Sequence, residues 1–137
     1  MKKLFLFFLG ILGITCSACF YSKYGCPYAE FEVKGKVTDQ AGQPLKDIRV
    51  VVNRYDTTMT DSLGQYYKET QLMGAVTGMV PIEAVDEDGE ANGGEFASTT
   101  VYVNLAKKDF KGGDGDWYEG KATKEVNFKL EEKKTEN

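Results

Sequence analysis

Residues 32–52 read EVKGKVTDQAGQPLKDIRVVV. Val33, Gly35 and Val37 alternate with Lys34, Lys36 and Thr38, the period-2 pattern of a strand with one buried face. Asp39-Gln40-Ala41-Gly42-Gln43-Pro44 is a dense run of turn formers. Glycine there can take φ > 0, and proline presets its own φ and restricts the residue before it. Leu45 and Ile48 re-enter the core, and Val50 and Val52 follow at strand spacing. The pattern predicts strand, turn, strand, with the rest of the chain covering the apolar face of that unit.

Asn53-Arg54-Tyr55-Asp56 reads as a turn and Thr57-Thr58-Met59-Thr60 as a short edge strand. In the next turn Asp61 can accept backbone N–H bonds and Gly64 supplies a left-handed position. Tyr66 then starts a strand that continues through Leu72. Val80, Ile82 and Ala84 alternate, as do Val101, Val103 and Leu105, and Val126, Phe128 and Leu130 make a last strand. About seven short strands separated by Gly- and Asp-rich loops predict an all-β fold, a single antiparallel β-sandwich of the immunoglobulin-like kind. Residues 131–137 are charged and are expected to be a disordered tail.

The start of the chain has a different character. Lys2 and Lys3 precede an eleven-residue apolar run, LFLFFLGILGI. That run is too short for an ordinary membrane-spanning helix and suits the apolar region of a secretory signal. Thr15-Cys16-Ser17-Ala18-Cys19 follows, small residues before a cysteine, which resembles a bacterial lipoprotein box. Cys19, with Ser17 and Ala18 before it, is the preferred lipidation site, and Cys16 is the alternative. An ordinary signal peptide cut near Ala18, without lipid, is the bland reading. The expected organisation is a leader over residues 1–18, an aromatic-rich linker over 19–29, a sandwich domain over 30–130, and the tail. Several acyl chains on one cysteine would hold the protein firmly on a membrane, since each buried CH₂ adds about 0.8 kcal/mol.

Composition narrows the chemistry. The chain carries no histidine. This removes the commonest general base, the Ser-His-Asp and Cys-His arrangements, and His-ligated zinc. The formal charge is −4, and without the leader 15 basic residues face 21 acidic ones. No basic stripe is present, so nucleic acid is not an expected partner. The chain is therefore expected not to be an enzyme. Cys26, followed by Pro27 and lacking an activating base, reads as a small structural residue. If Cys16 is lipidated instead of Cys19, Cys19 and Cys26 could close a short disulfide loop in an oxidising envelope.

Three features remain as candidate sites. Asp86, Asp88 and Asn92 lie in an acidic loop, DEDGEANGGEF, with oxygen ligands of the kind calcium takes. Asp114 and Asp116 lie in a second loop, GGDGDWYEG, which nearly spells a calcium β-roll repeat. Each loop reads equally as a solvated turn. Calcium would gain support if both loops met at one end of the sandwich. No other cofactor is expected. Trp117 and Tyr118, set beside Gly120, could stack on a sugar or peptide; the bland alternative is that one ring caps the core.

The segments GKVTDQAGQPLKDIRVVV and TTMTDSLGQY, in this order, resemble the carboxypeptidase-regulatory-like, transthyretin-like β-sandwich family. The likeness covers about residues 33–68. Lys46-Asp47 departs from it, standing where proline or glycine often precedes the second strand. A wider pattern covers nearly the whole chain: the lipoprotein-type leader, Tyr-Gly-Cys-Pro-Tyr-Ala before the first strand, DEDGEANGGEF and GGDGDWYEG. It resembles the radical-SAM-associated lipoproteins of Bacteroides-like bacteria. That resemblance implies a cell-envelope setting, lipid anchoring and a radical-SAM maturase as partner, with no catalytic residues. The acidic export signal expected soon after the lipidated cysteine of a surface lipoprotein is absent, so the periplasmic side of the outer membrane is the expected address. The expected role is a binding or scaffold module; the alternative is a carbohydrate- or peptide-binding accessory lipoprotein with a calcium-stabilised loop.

Overall fold

The computed structural model describes residues 25–91 and 94–134. The expected leader, with Cys16 and Cys19, and Asn92 lie outside the described residues. Among the described residues nine strands form two sheets. They are β1 (Tyr28–Thr38), β2 (Ile48–Val52), β3 (Asp56–Met59), β4 (Gln65–Met73), β5 (Gly78–Asp86), β6 (Thr99–Leu105), β7 (Lys111–Gly112), β8 (Tyr118–Glu125) and β9 (Phe128–Lys129). A 3₁₀ turn, Lys107–Asp109, joins β6 to β7. The first sheet runs β4-β1-β8-β7, with β9 beside the end of β1; the second runs β3-β2-β5-β6. The all-β sandwich expected from alternation is the observed fold.

It is not purely antiparallel. β8 and β9 both run parallel to β1. The alternation of Val126, Phe128 and Leu130 marks only the end of this return. β8 reads YEGKATKE, and its inward positions are Gly120 and Ala122, too small to register as an apolar face. β1 also begins at Tyr28, so Tyr28 and Ala29 belong to the sheet rather than to a linker.

The core lies between the sheets. β1 contributes Ala29, Phe31, Val33 and Val37, and β4 contributes Tyr66 and Leu72. The second sheet answers with Ile48, Val50, Val52, Val80, Ile82, Ala84 and Leu105. Fully burying one of the larger aliphatic or aromatic chains contributes about 1.5–3 kcal/mol, so this layer supplies the main driving force.

Specific bonds set the edges. Thr60 is buried, and its hydroxyl donates to Leu45 O (2.6 Å) while accepting from Ile48 N (2.9 Å). Asp61 Oδ1 accepts from Leu63 N and Gln65 N, both at 2.9 Å, as its place in the turn requires. Thr70 donates its hydroxyl to Asp56 and so laces β4 to β3 across one side of the sandwich.

Residues 131–134 depart from the expected tail. Ala97 N donates to Glu131 O (2.8 Å), Glu132 pairs with Phe96, and Lys133 N donates to Glu95 O (2.9 Å). Phe96, 1% exposed, plugs that end of the core. The buried ring holds the loop down, and the loop in turn holds the tail.

Candidate functional site

The groove on the outer face of the first sheet begins with Gly35. On this strand odd positions face the core, and a Cβ at Gly35 would lie 1.8 Å from the carbonyl oxygen of Val126. Only glycine leaves room for that carbonyl. β8 pairs with β1 as far as Lys34 and Glu125. Val126 N then donates to Lys34 O (2.9 Å), and Val126 turns into the core. The Tyr66 hydroxyl reaches across and donates to Val126 O (2.5 Å). Burial holds the Tyr66 phenol well above its ordinary range. Asn127 stands outward. Its Oδ1 accepts the Lys36 N–H (2.9 Å), replacing a ladder bond, and its amide donates to Glu125 Oε1 (3.3 Å). β9 then resumes pairing at Val37 and Phe128.

This break leaves a shallow groove of about 500 Å³, floored by Gly35 and flanked by Lys34, Lys36, Gln65, Tyr67, Glu125 and Asn127. Lys34 and Lys36 make no ion pair among the described residues. Tyr67 is 52% exposed, which leaves much of its ring uncovered. The groove therefore offers ammonium and amide donors, carboxylate and amide acceptors, and one aromatic ring.

Further along the same face Lys121 sits between Glu32 (2.9 Å) and Glu69 (2.8 Å). The Tyr67 hydroxyl donates to Glu69 (3.2 Å). The bond from Lys121 holds both carboxyls below the usual carboxylate range, and the two carboxylates push the ammonium up. This cluster fixes the ring edge of Tyr67 from one side. Beyond it Tyr118 packs on Tyr28, ring centroids 5.2 Å apart, and donates to Glu30 (3.0 Å). The Glu30 bond raises the Tyr118 phenol above its ordinary value.

Tyr118 is engaged with Tyr28 and Glu30. Trp117 lies 43% exposed over Gly25, and its carbonyl accepts Tyr28 N (2.9 Å), which ties the entry segment to the sheet. Cys26, in that segment, is half-buried and free. The two acidic loops do not meet. Asp86 closes β5, opposite Ile48 at the start of β2. Asp114 and Asp116 precede β8 at the end where Tyr118 pairs with Tyr28. These are opposite ends of the sandwich.

Their carboxylates serve the loops. Asp86 accepts from Asp88 N (3.3 Å) and Phe96 N (3.0 Å). Partial burial and the side chain of Asp88 raise the Asp86 carboxyl. Asp114 Oδ1 accepts from Asp116 N (2.8 Å) and Tyr118 N (3.2 Å). Among the described residues no group of three or more His, Cys, Asp or Glu is arranged to hold a metal ion.

The groove itself was not visible to sequence reasoning. Its signals were a glycine inside a strand, which marks a close backbone approach, and Asn127 interrupting an apolar alternation. Comparison of the chain with protein-family models and with curated proteins returned no match.

Proposed function

We propose that this chain is a non-catalytic binding module, tethered to a bacterial envelope membrane through lipid on Cys19 or Cys16, that takes its ligand in the groove beside Gly35. The observation that carries this reading is the groove's construction. A strand is broken to open it, and its rim sets Lys34 and Lys36, which make no ion pair among the described residues, beside the Asn127 amide and the exposed Tyr67 ring. Such a rim suits an extended ligand rich in hydroxyl or amide groups, a glycan or a peptide segment. The leader pattern supports the tether and the periplasmic side of the outer membrane. The resemblance to radical-SAM-associated lipoproteins supports a maturase as partner, with this chain as scaffold or as client. No nucleic acid is implied. The position of Trp117 against Gly25 favours a structural role for that ring over a second binding platform.

Two measurements test this. Intact mass of the native protein should show acyl chains on the N-terminal cysteine; an unmodified cut near Ala18 would contradict the tether. Binding to arrays of envelope glycans and peptides should be lost in Tyr67→Ala with an unchanged melt. Retained binding in that variant would contradict the groove.

A further inference from the structure

The two sides of the sandwich differ. On one, Thr70 and Asp56 bridge β4 and β3. On the other, β6 ends the second sheet and the two-residue β7 ends the first. Val101, Val103 and Phe110 line this side and are only partly buried. β6 reads TTVYVNL, seven residues without a charge, a proline or a glycine. Edge strands left so are rare, because they invite pairing. β3 is shorter and carries Asp56, and β4 carries Lys68 and Glu69.

Pro81 fixes which groups of β6 are free. Pro81 lies opposite Tyr102 and has no N–H. Its carbonyl accepts Asn53 N (2.9 Å), on the β2 side. Pro81 and Tyr102 therefore form a non-hydrogen-bonded pair. By alternation Thr99, Val101 and Val103 bond to β5, and Thr100, Tyr102 and Asn104 aim their N–H and C=O groups outward. Among the described residues nothing pairs with that outer edge.

We propose that β6 pairs antiparallel with β6 of a second copy about a two-fold axis through Tyr102, joining the second sheets into one of eight strands. The strand is complementary to itself in this register. Tyr102 faces Tyr102 of the other copy, and Thr100 faces Asn104, in hydrogen-bonded pairs that use all three free donors and all three free acceptors of each edge. Val101 faces Val103 in the closer pairs on the core side, completing their burial. The chain carries a net charge of −4, yet no like charges meet along this edge. A second copy in this register sets uncharged side chains opposite one another at every position of the strand. This inference is independent of the groove, which lies on the other sheet.

The test is sedimentation velocity of the full-length chain in density-matched detergent across a wide concentration range. A reversible monomer–dimer equilibrium is expected. Tyr102→Lys, which sets two ammonium groups opposite each other on the axis, should weaken it about tenfold or more. Thr100→Pro, which removes an outward N–H without breaking a bond to β5, should also weaken it. Tyr102→Phe and the distant Tyr55→Lys should leave it intact, and thermal melts should show all four variants folded. A chain that stays monomeric throughout overturns the proposal. So does a dimer indifferent to Tyr102→Lys, or a monomer whose β6 is occupied by a different protein.

Discussion

Gly35→Ala gives the sharpest test of how the groove is built, because two arguments predict opposite signs. Alanine is favoured over glycine inside a strand by about 0.5–1 kcal/mol, so a local reading predicts a gain. The structure predicts a loss. The new methyl would lie 1.8 Å from the oxygen and 2.6 Å from the carbon of the Val126 carbonyl, and backbone cannot swing aside as a flexible side chain does. Moving residues 126–127 breaks the Tyr66–Val126 and Val126–Lys34 bonds. Each is worth about 1 kcal/mol net, and an unpaired buried hydroxyl costs about 1–3 kcal/mol more. Overpacking strain adds about 1–3 kcal/mol. Offset by the gain in propensity, the net loss is about 3–7.5 kcal/mol, a large share of the roughly 5–15 kcal/mol that holds a domain together. At about 4–8 °C per kcal/mol, Tm should fall by at least about 12 °C. Thermal and urea unfolding read this directly. Tyr66→Phe alone should cost about 1–2 kcal/mol and far less in the Gly35→Ala background, because the shared bond is already gone. A Tm unchanged or raised by Gly35→Ala, or strict additivity of the two substitutions, would refute the reasoning.

Three further outcomes are expected. Thr60→Val, of similar shape, leaves Ile48 N–H and Leu45 C=O unpaired in the core and should cost about 2–4 kcal/mol by urea unfolding; Thr60→Ser should cost much less. Stability should fall on both sides of neutrality. Glu32 and Glu69 are held below their ordinary 4.5, so their contribution is present above that value and is lost as pH falls through the lower folded values. Tyr66 is held above its ordinary 10.0, so its contribution is lost as pH rises beyond that value. Lys121→Met should bring the Glu32 and Glu69 carboxyls back up, read by NMR titration, and no upward movement would contradict the network. Millimolar calcium should leave Tm unchanged, since the acidic loops lie at opposite ends and their carboxylates cap backbone N–H groups; an upward shift would contradict this.

The sheets were legible where strands are half-buried and their inward residues are large. β2, β4, β5 and β6 announce themselves through Val50 and Val52, Tyr66 and Leu72, Val80 and Ile82, Val103 and Leu105. The Asp61–Gly64 turn was legible too, because its geometry demands those residue types. β8 was not, since Gly120 and Ala122 face inward. Its parallel pairing with β1 is a long-range choice that no local pattern encodes. The groove escaped for the same reason. Residues 34–36, 65–67 and 125–127 meet only through register, and the value of Gly35 lies in an atom of Val126, about ninety positions away along the chain. From sequence Phe96 reads as part of a loop, but an aromatic after an acidic Gly-rich run is also how a loop is pinned to a core.

The most direct measurement of the central claim is an NMR titration of the uniformly ¹⁵N-labelled chain with soluble envelope glycans and peptides, following every backbone amide. Shifts confined to residues 34–36, 65–67 and 125–127, and abolished by Tyr67→Ala, are the predicted result. Shifts centred on Trp117 and the entry segment, or none with any ligand of either class, would contradict it.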